Sequence, residues 1–153
     1  MRPATVIVGL VLLLASAGCS DSEVEIQGGH PTAEKVFHYV IADPVPAGVR
    51  DLQGWAETWQ GYEAFLRFVA DDEFVKTLLS QGYTPTKWDS ISFRFQPSTA
   101  ARAAFSPAWN PEDVGTKECY VKTGVRNAWT HEGETYLLID RSNRIVYICG
   151  VGA

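Results

Sequence analysis

The sequence predicts an α+β fold, in which an antiparallel sheet of about five to seven strands carries two main helices packed on one face. Strand-like runs of aromatic and β-branched residues follow one another along the chain, and only two segments show clear helical spacing of apolar residues. Hydrophobic residues make up 46% of the 153 residues, and 5 Trp, 6 Tyr and 7 Phe supply bulky side chains for a core. This length and composition indicate one globular domain, which we place at residues 32–153.

The two helices are predicted from an N-cap residue that precedes an apolar stripe. Thr32 caps the first helix, which must end before Pro44 because proline cannot continue a helix. Asp71 caps the second helix, which ends at Gly82 because glycine readily takes the left-handed conformation found after helices. The apolar stripes consist of Ala33, Val36, Phe37 and Val40 in the first helix, and Phe74, Val75, Leu78 and Leu79 in the second.

A β-hairpin is predicted between these helices. Residues 49–59 and 62–70 are rich in aromatic and β-branched residues, and the Gln-Gly pair at 60–61 is a two-residue turn between them. Such a turn places Trp55 opposite Leu66.

The chain after the second helix is predicted to be mostly β. Alternating apolar residues at 91–95 have the period of a half-buried strand, and the alanine-rich segment 98–105 is a short helix of two turns. Four further strands are expected at 118–123, 126–130, 134–140 and 144–151.

Residues 1–18 have the organisation of a targeting segment. Arg2 provides a positive charge, residues 4–15 are mostly apolar, and small residues at 16–18 precede Cys19. The apolar run is shorter than the roughly 20 residues that a membrane-spanning helix needs.

The small residues that end in Gly-Cys resemble the lipobox of bacterial lipoproteins, with Ser16 where that family most often has leucine. The resemblance covers residues 1–19 and implies cleavage before Cys19 after its thiol has received a diacylglycerol. It also implies a lipid anchor in the bacterial cell membrane or outer membrane, with residues 19–31 as the lipidated N-terminus and tether of a domain that faces the periplasm or the exterior. An A-x-A site at residues 15–17 is the alternative, and it would release a soluble protein that begins at Gly18.

The charge of the mature chain bears on its partners. Only Arg2 among the 13 basic residues would be removed, so 12 basic and 18 acidic residues remain and the formal charge is −6. Nucleic acid is not expected as a partner, because the chain lacks the basic stripe that backbone phosphates require. A protein, a glycan or a small anionic ligand is the expected partner besides the membrane.

No catalytic, metal or cofactor motif is expected. The three histidines lack the spacing of zinc ligands, and no serine lies in a G-x-S-x-G turn. The consecutive acids at 71–73 are explained by the positive end of the helix that they begin.

The cysteines indicate a disulfide bond. Lipidation of Cys19 leaves Cys119 and Cys149 as an even pair in an oxidising compartment, where two cysteines on strands are usually bonded to each other. A thiol nucleophile is the alternative. The bond requires the last strand to return beside 118–123, or that segment to leave the sheet, because a plain meander would hold the two cysteines three strands apart.

Two groups of residues are candidates for ligand binding. Trp109 lies in a proline-rich loop, where an exposed aromatic ring could anchor a partner. Arg67 and Arg94 lie on the polar side of predicted strands and could share one face with Phe65, where two guanidinium groups would hold a carboxylate or phosphate. The alternative is that both arginines pair with Glu57 or Glu63 or face water.

The sequence therefore predicts a membrane-anchored envelope lipoprotein with a binding or adaptor domain that is not an enzyme. A small envelope hydrolase is one alternative. An inhibitor or immunity-type lipoprotein that inserts the loop at 106–117 into a periplasmic enzyme is another.

Overall fold

The computed structural model describes residues 30–58, 61–105, 107–127 and 129–153. The predicted signal peptide, Cys19 and the tether up to residue 29 lie outside these ranges. The strands are β1 Val49–Glu57, β2 Tyr62–Ala70, β3 Thr84–Thr86, β4 Glu118–Asn127, β5 Thr130–Asp140 and β6 Ile145–Gly152. The α-helices are α1 Ala33–Val40, α2 Asp72–Leu79, α3 Trp88–Ile91 and α4 Thr99–Phe105, and 3₁₀ helices span Ser92–Phe95 and Pro111–Asp113.

All six strands form one antiparallel sheet in the order β1-β2-β6-β5-β4-β3. The predicted α+β class and the strand number are therefore confirmed. The last strand, β6, lies between β2 and β5, so the C-terminus completes the centre of the sheet.

The side chains of each strand alternate between two hydrophobic clusters, one on each face of the sheet. The first face packs against α1 and α2 through Val36, Phe37, Val75 and Leu78. The second face is covered by the segment from α3 to residue 114, which contributes Phe95, Phe105, Trp109 and other buried side chains. Helices thus lie against both faces, and the expected confinement of the helices to one face is not confirmed.

The two helices predicted from their caps are present where the sequence placed them. The Thr32 hydroxyl accepts a hydrogen bond from the backbone N–H of Lys35 at 3.3 Å. The Asp71 carboxylate accepts one from the N–H of Phe74 at 2.7 Å. These bonds satisfy backbone donors that a helix leaves free in its first turn, so the local signals suffice to begin both helices.

The strand predicted at 91–95 is wrong, because these residues form the end of α3 and the 3₁₀ helix Ser92–Phe95. Ile91 and Phe95, four positions apart, are 3% and 2% exposed, whereas Phe93 between them is 59% exposed. The buried pair follows helical rather than strand spacing, and the segment packs on the sheet instead of joining it.

The hairpin between β1 and β2 exists, but its predicted register is wrong by one residue. Trp55 lies opposite Phe65, not Leu66, because residues 58–61 separate the strands instead of a two-residue turn. Residues 59 and 60 of that connection lie outside the described part of the chain.

The C-terminal strands number three rather than four, because the segment predicted at 126–130 is divided between the end of β4 and the start of β5. The three strands form a plain meander, with β5 between β4 and β6.

This topology contradicts the predicted disulfide bond, and both thiols are free. Cys119 on β4 lies opposite Leu138, and Cys149 on β6 lies opposite Tyr136, so the whole of β5 separates the two cysteines. Two strand spacings amount to about 10 Å, which exceeds the roughly 7 Å that a disulfide allows between Cα atoms.

Candidate functional site

The second face of the sheet carries three glutamates in one row across the strands. Glu57 lies opposite Glu63, Glu63 lies opposite Val151, and Val151 lies opposite Glu134. Their side chains share a face because each stands two positions from an aromatic residue of the second cluster: Trp55, Phe65 and Tyr136 respectively. We call Glu57, Glu63 and Glu134 the acidic row.

Arg94 is the cation that the structure places against this row. Its Nη2 lies 3.8 Å from the Glu134 carboxylate, and its guanidinium carbon lies 5.4 Å from the centre of the Tyr136 ring. The Arg94 Nε is buried and has no hydrogen-bond partner among the described residues. Arg94 thus pairs with Glu134 and lies near Glu63, and a row of three carboxylates with this one arginine retains an excess of negative charge.

The electrostatics of the site raise two pKa values. Burial, and next the nearby charge of Glu57, raise the pKa of Glu63, while Arg94 lowers it. Burial, and next the hydrogen bond that its hydroxyl donates to Glu134, raise the pKa of Tyr136. The carboxylates are held together at the cost of disfavouring the charged form of Glu63.

A depression adjoins the row at the end of the strands. Its volume is about 290 Å³, and its lining includes Glu132, Glu134 and Val151. Phe93, the neighbour of Arg94, is the one large apolar side chain that is exposed within the described ranges. The Arg94 guanidinium carbon lies 4.8 Å from the centre of the Phe93 ring. The exposed Phe93 ring thus contacts the arginine that pairs with Glu134, and Glu134 also lines the depression.

Arg67 does not join Arg94 in this site. Both arginines lie on the second face, but the Arg67 guanidinium carbon is 6.0 Å from the centre of the Tyr147 ring, and Arg94 contacts Tyr136 and Glu134 on a different strand. Phe65 and Trp109 pack together on the same face, with ring centres 5.4 Å apart. The structure does not support a shared site in which both guanidinium groups hold one anion.

Trp109 is part of the core, so the prediction that it is exposed is wrong. It is 6% exposed, and its Nε1 donates a hydrogen bond to the Phe95 carbonyl oxygen at 3.0 Å. The loop at 107–117 buries Trp109, Pro111 and Val114 against the sheet. An aromatic residue in a proline-rich loop here completes the second hydrophobic cluster instead of meeting a partner.

The two thiols lie in environments that keep them protonated. Burial raises the pKa of Cys119 to about 11, and burial together with the charge of Glu63 raises the pKa of Cys149 well above its ordinary range. Thiol nucleophiles require a lowered pKa and access to solvent. The alternative of a cysteine nucleophile therefore has no support in this geometry.

Within residues 30–58, 61–105, 107–127 and 129–153, no group of three or more His, Cys, Asp or Glu side chains is placed to hold a metal ion. Across the same residues, none of the helices combines the length and apolar character that crossing a bilayer requires.

Comparisons with family models, curated proteins and solved structures find no match to the chain.

The sequence indicates Arg94 as an anion-binding residue, with Glu57 and Glu63 as its alternative partners. It does not predict the exposure of Phe93 or the alignment of Glu134 with the other two glutamates. A local signal for the glutamates exists, since each stands two positions from an aromatic residue in a strand-like segment. The complete row depends on the order of the strands in the sheet. Strand β6 pairs with β2 although the two strands lie far apart along the chain.

Proposed function

We propose that the chain is a lipid-anchored bacterial envelope protein whose domain binds a basic segment of another envelope protein and is not an enzyme. The observation that carries the binding proposal is the acidic row with a single arginine. Like charges directly opposite each other destabilise a sheet. A cationic side chain from a partner would neutralise the row and recover part of that energy.

Phe93 completes the recognition surface. An exposed phenylalanine beside carboxylates suits a lysine or arginine side chain, whose stem packs on the ring while the charge meets the acids. Arg94 covers one part of the Phe93 ring at 4.8 Å, so a partner's cationic side chain would pack on the part that is still exposed. The expected partner segment is therefore basic and contains at least one apolar contact.

The anchor would hold this surface close to the membrane. His30, the first described residue, packs on Trp55 with ring centres 5.2 Å apart, and Trp55 stands two positions from Glu57. A lipidated Cys19 would lie 11 residues before His30 in the sequence. A basic segment next to the membrane, on a neighbouring envelope protein, fits this position.

Titration with a short oligolysine peptide tests the proposal. We expect saturable binding that falls with added salt, and an affinity reduced several-fold by Glu63→Gln and by Glu134→Gln. The matched control is Glu112→Gln, since Glu112 is an exposed glutamate outside the row. Equal effects of all three substitutions would show that oligolysine binds through the overall negative charge of the chain and not at the acidic row. This result would contradict the proposal.

Arg94→Gln distinguishes the sign of the ligand. Removal of this cation leaves the row more negative, so the proposal expects tighter binding of oligolysine. If Arg94→Gln abolishes binding of an anionic probe such as oligoglutamate, the site holds anions and the proposal is wrong.

A further inference from the structure

A second cavity lies on the first face of the sheet, opposite to the acidic row. Its volume is about 220 Å³, and it lies between the end of α1, the loop after α2 and the strands β4 and β5. A cavity needs about 10–15 Å³ to hold a single water, and pockets for drug-sized ligands have volumes of about 300 Å³ or more. The cavity is thus large enough for a small organic molecule and too small for a nucleotide.

The charge of this cavity is opposite to that of the acidic row. Lys122 and Arg126 line it, and the described residues of its wall include no aspartate or glutamate. Neither cation forms a salt bridge within the part of the chain that the structure describes. Two cations without an acidic partner, in a chain of formal charge −5, indicate a site for an anion.

The remaining wall provides both apolar and hydrogen-bonding contacts. Apolar surface comes from Val40, Ile41 and Val125, and the rings of Tyr39 and Tyr83 add flat aromatic faces. Thr135, which is 1% exposed, lies in the wall, and its side chain forms a hydrogen bond with the Tyr83 phenol. Burial raises the pKa of the Tyr83 phenol, so this group remains a neutral hydrogen-bond donor at physiological pH. Most of the exposed wall is polar, and the aromatic faces of Tyr39 and Tyr83 supply the contact for the body of an organic anion.

The irregular end of β4 shapes the cavity. The β4–β5 register shifts between Thr123 and Val125 and again between Val125 and Asn127. Gly124 has φ of +66°, a backbone conformation that glycine adopts without strain, and a Cβ at this position would meet no atom within 4 Å. Glycine is therefore favoured by the backbone conformation and not by crowding. Bulges of this kind redirect side chains and are frequent beside binding sites.

We propose that this cavity binds a small organic carboxylate with an apolar or aromatic body. Lys122 and Arg126 would contact the carboxylate, and Tyr39 and Tyr83 would flank the body. The Lys122 Nζ lies 5.7 Å from the centre of the Tyr83 ring, so cation and ring already lie side by side. The inference does not depend on the acidic row, which lies on the other face and has the opposite charge.

Titration with benzoate, followed by amide NMR spectra of the full chain, tests the inference. We expect saturable shifts of Tyr83, Lys122 and Arg126, and no such shifts with benzamide, which has the same shape without the charge. Lys122→Gln and Arg126→Gln should each weaken benzoate binding about tenfold or more, because a hydrogen bond to a charged group is lost.

Lys117→Gln is the matched control, since Lys117 lies outside the cavity lining and should leave benzoate affinity unchanged. The amide spectra without ligand report whether each variant is folded. Absence of benzoate shifts, equal shifts with benzamide, or unchanged affinity in both cavity variants would overturn the inference. Equal binding of inorganic phosphate would show that the apolar body contributes nothing and would overturn the assignment to an organic carboxylate.

Discussion

Glu57 and Glu63 lie directly opposite each other on neighbouring strands, and the second of these carboxyl groups has a raised pKa. Such a pair opposes folding of the sheet, because like charges in direct opposition repel. Unfavourable contacts of this kind concentrate at functional sites, where stability is traded for binding. This relationship leads to a prediction in which stability and binding change in opposite directions.

Replacement of Glu63 by Gln should stabilise the protein at neutral pH while weakening oligolysine binding. The folded protein holds the Glu63 proton more tightly than the unfolded chain, so its stability falls as pH rises above the ordinary glutamate value of 4.5 and through the raised folded pKa. The parent and the variant should therefore converge in stability below that window. Urea unfolding at several pH values measures the difference. A variant less stable than the parent at neutral pH would show that burial of the Glu63 charge and its repulsion by Glu57 do not oppose folding as predicted.

Phe93 and Phe95 form a matched pair for separating binding from stability. Phe93→Ala should change the unfolding free energy little because its ring is 59% exposed, whereas Phe95→Ala should cost about 3–5 kcal/mol because Phe95 is 2% exposed. Only Phe93→Ala should reduce the affinity of a basic peptide that contains an apolar residue. Unchanged affinity in that folded variant would remove Phe93 from the recognition surface.

Trp109→Ala should destabilise the protein by about 3–5 kcal/mol, because the ring is buried among Phe65, Phe105 and Tyr147. Trp109→Phe should recover part of the packing but not the hydrogen bond from Nε1 to the Phe95 carbonyl oxygen. That bond is worth about 1 kcal/mol, with a further cost if the carbonyl is left buried without a donor. Urea unfolding of both variants provides the measurement, and a loss under about 1 kcal/mol for Trp109→Ala would place the ring at the surface.

The elements that the sequence predicts correctly are those set by neighbouring residues. Caps and apolar stripes are local signals, and α1 and α2 follow from them with the caps in place. The segment 91–95 is too short to distinguish a strand from a helix. Apolar residues at 91, 93 and 95 have the period of two that a strand shows, but the buried residues Ile91 and Phe95 also have the spacing of four that a helix shows. Short apolar runs are ambiguous for this reason.

The candidate site was beyond local reasoning because it depends on strand order. Glu134 joins the acidic row only because β6 inserts between β2 and β5, and nothing in a single strand specifies its neighbours. Glu57 and Glu63 face each other within the hairpin, whose register was predicted wrongly by one residue. The cysteines illustrate the same limit. The expected oxidising compartment and the even number of cysteines left after lipidation favoured a disulfide bond. The meander, however, places β5 between Cys119 and Cys149.

The two free thiols give a test of that meander. Alkylation of the native protein should be slow, because Cys119 is 5% and Cys149 0% exposed and burial raises the pKa of both. After denaturation without a reductant, both should react. Protection of both thiols in the denatured, unreduced protein would restore the disulfide and require a different strand order.

Replacement of Cys19 by Ala should move the protein from the membrane fraction to the soluble fraction, because the proposed anchor is the lipid on this thiol. Mass analysis of the mature N-terminus measures the same event directly: a diacylated Cys19 is expected, and an unmodified terminus at Gly18 would support the A-x-A cleavage instead.

Alkylation provides an independent count of the free thiols. The denatured lipidated protein should expose only Cys119 and Cys149 as reactive thiols, whereas a chain cleaved before Gly18 would add Cys19 as a third. A Cys119→Ser variant is the matched control, since it also removes a thiol but should leave the protein in the membrane fraction. If Cys19→Ala also remains there, another part of the chain or a bound partner holds the protein at the membrane, and the proposed anchor is wrong.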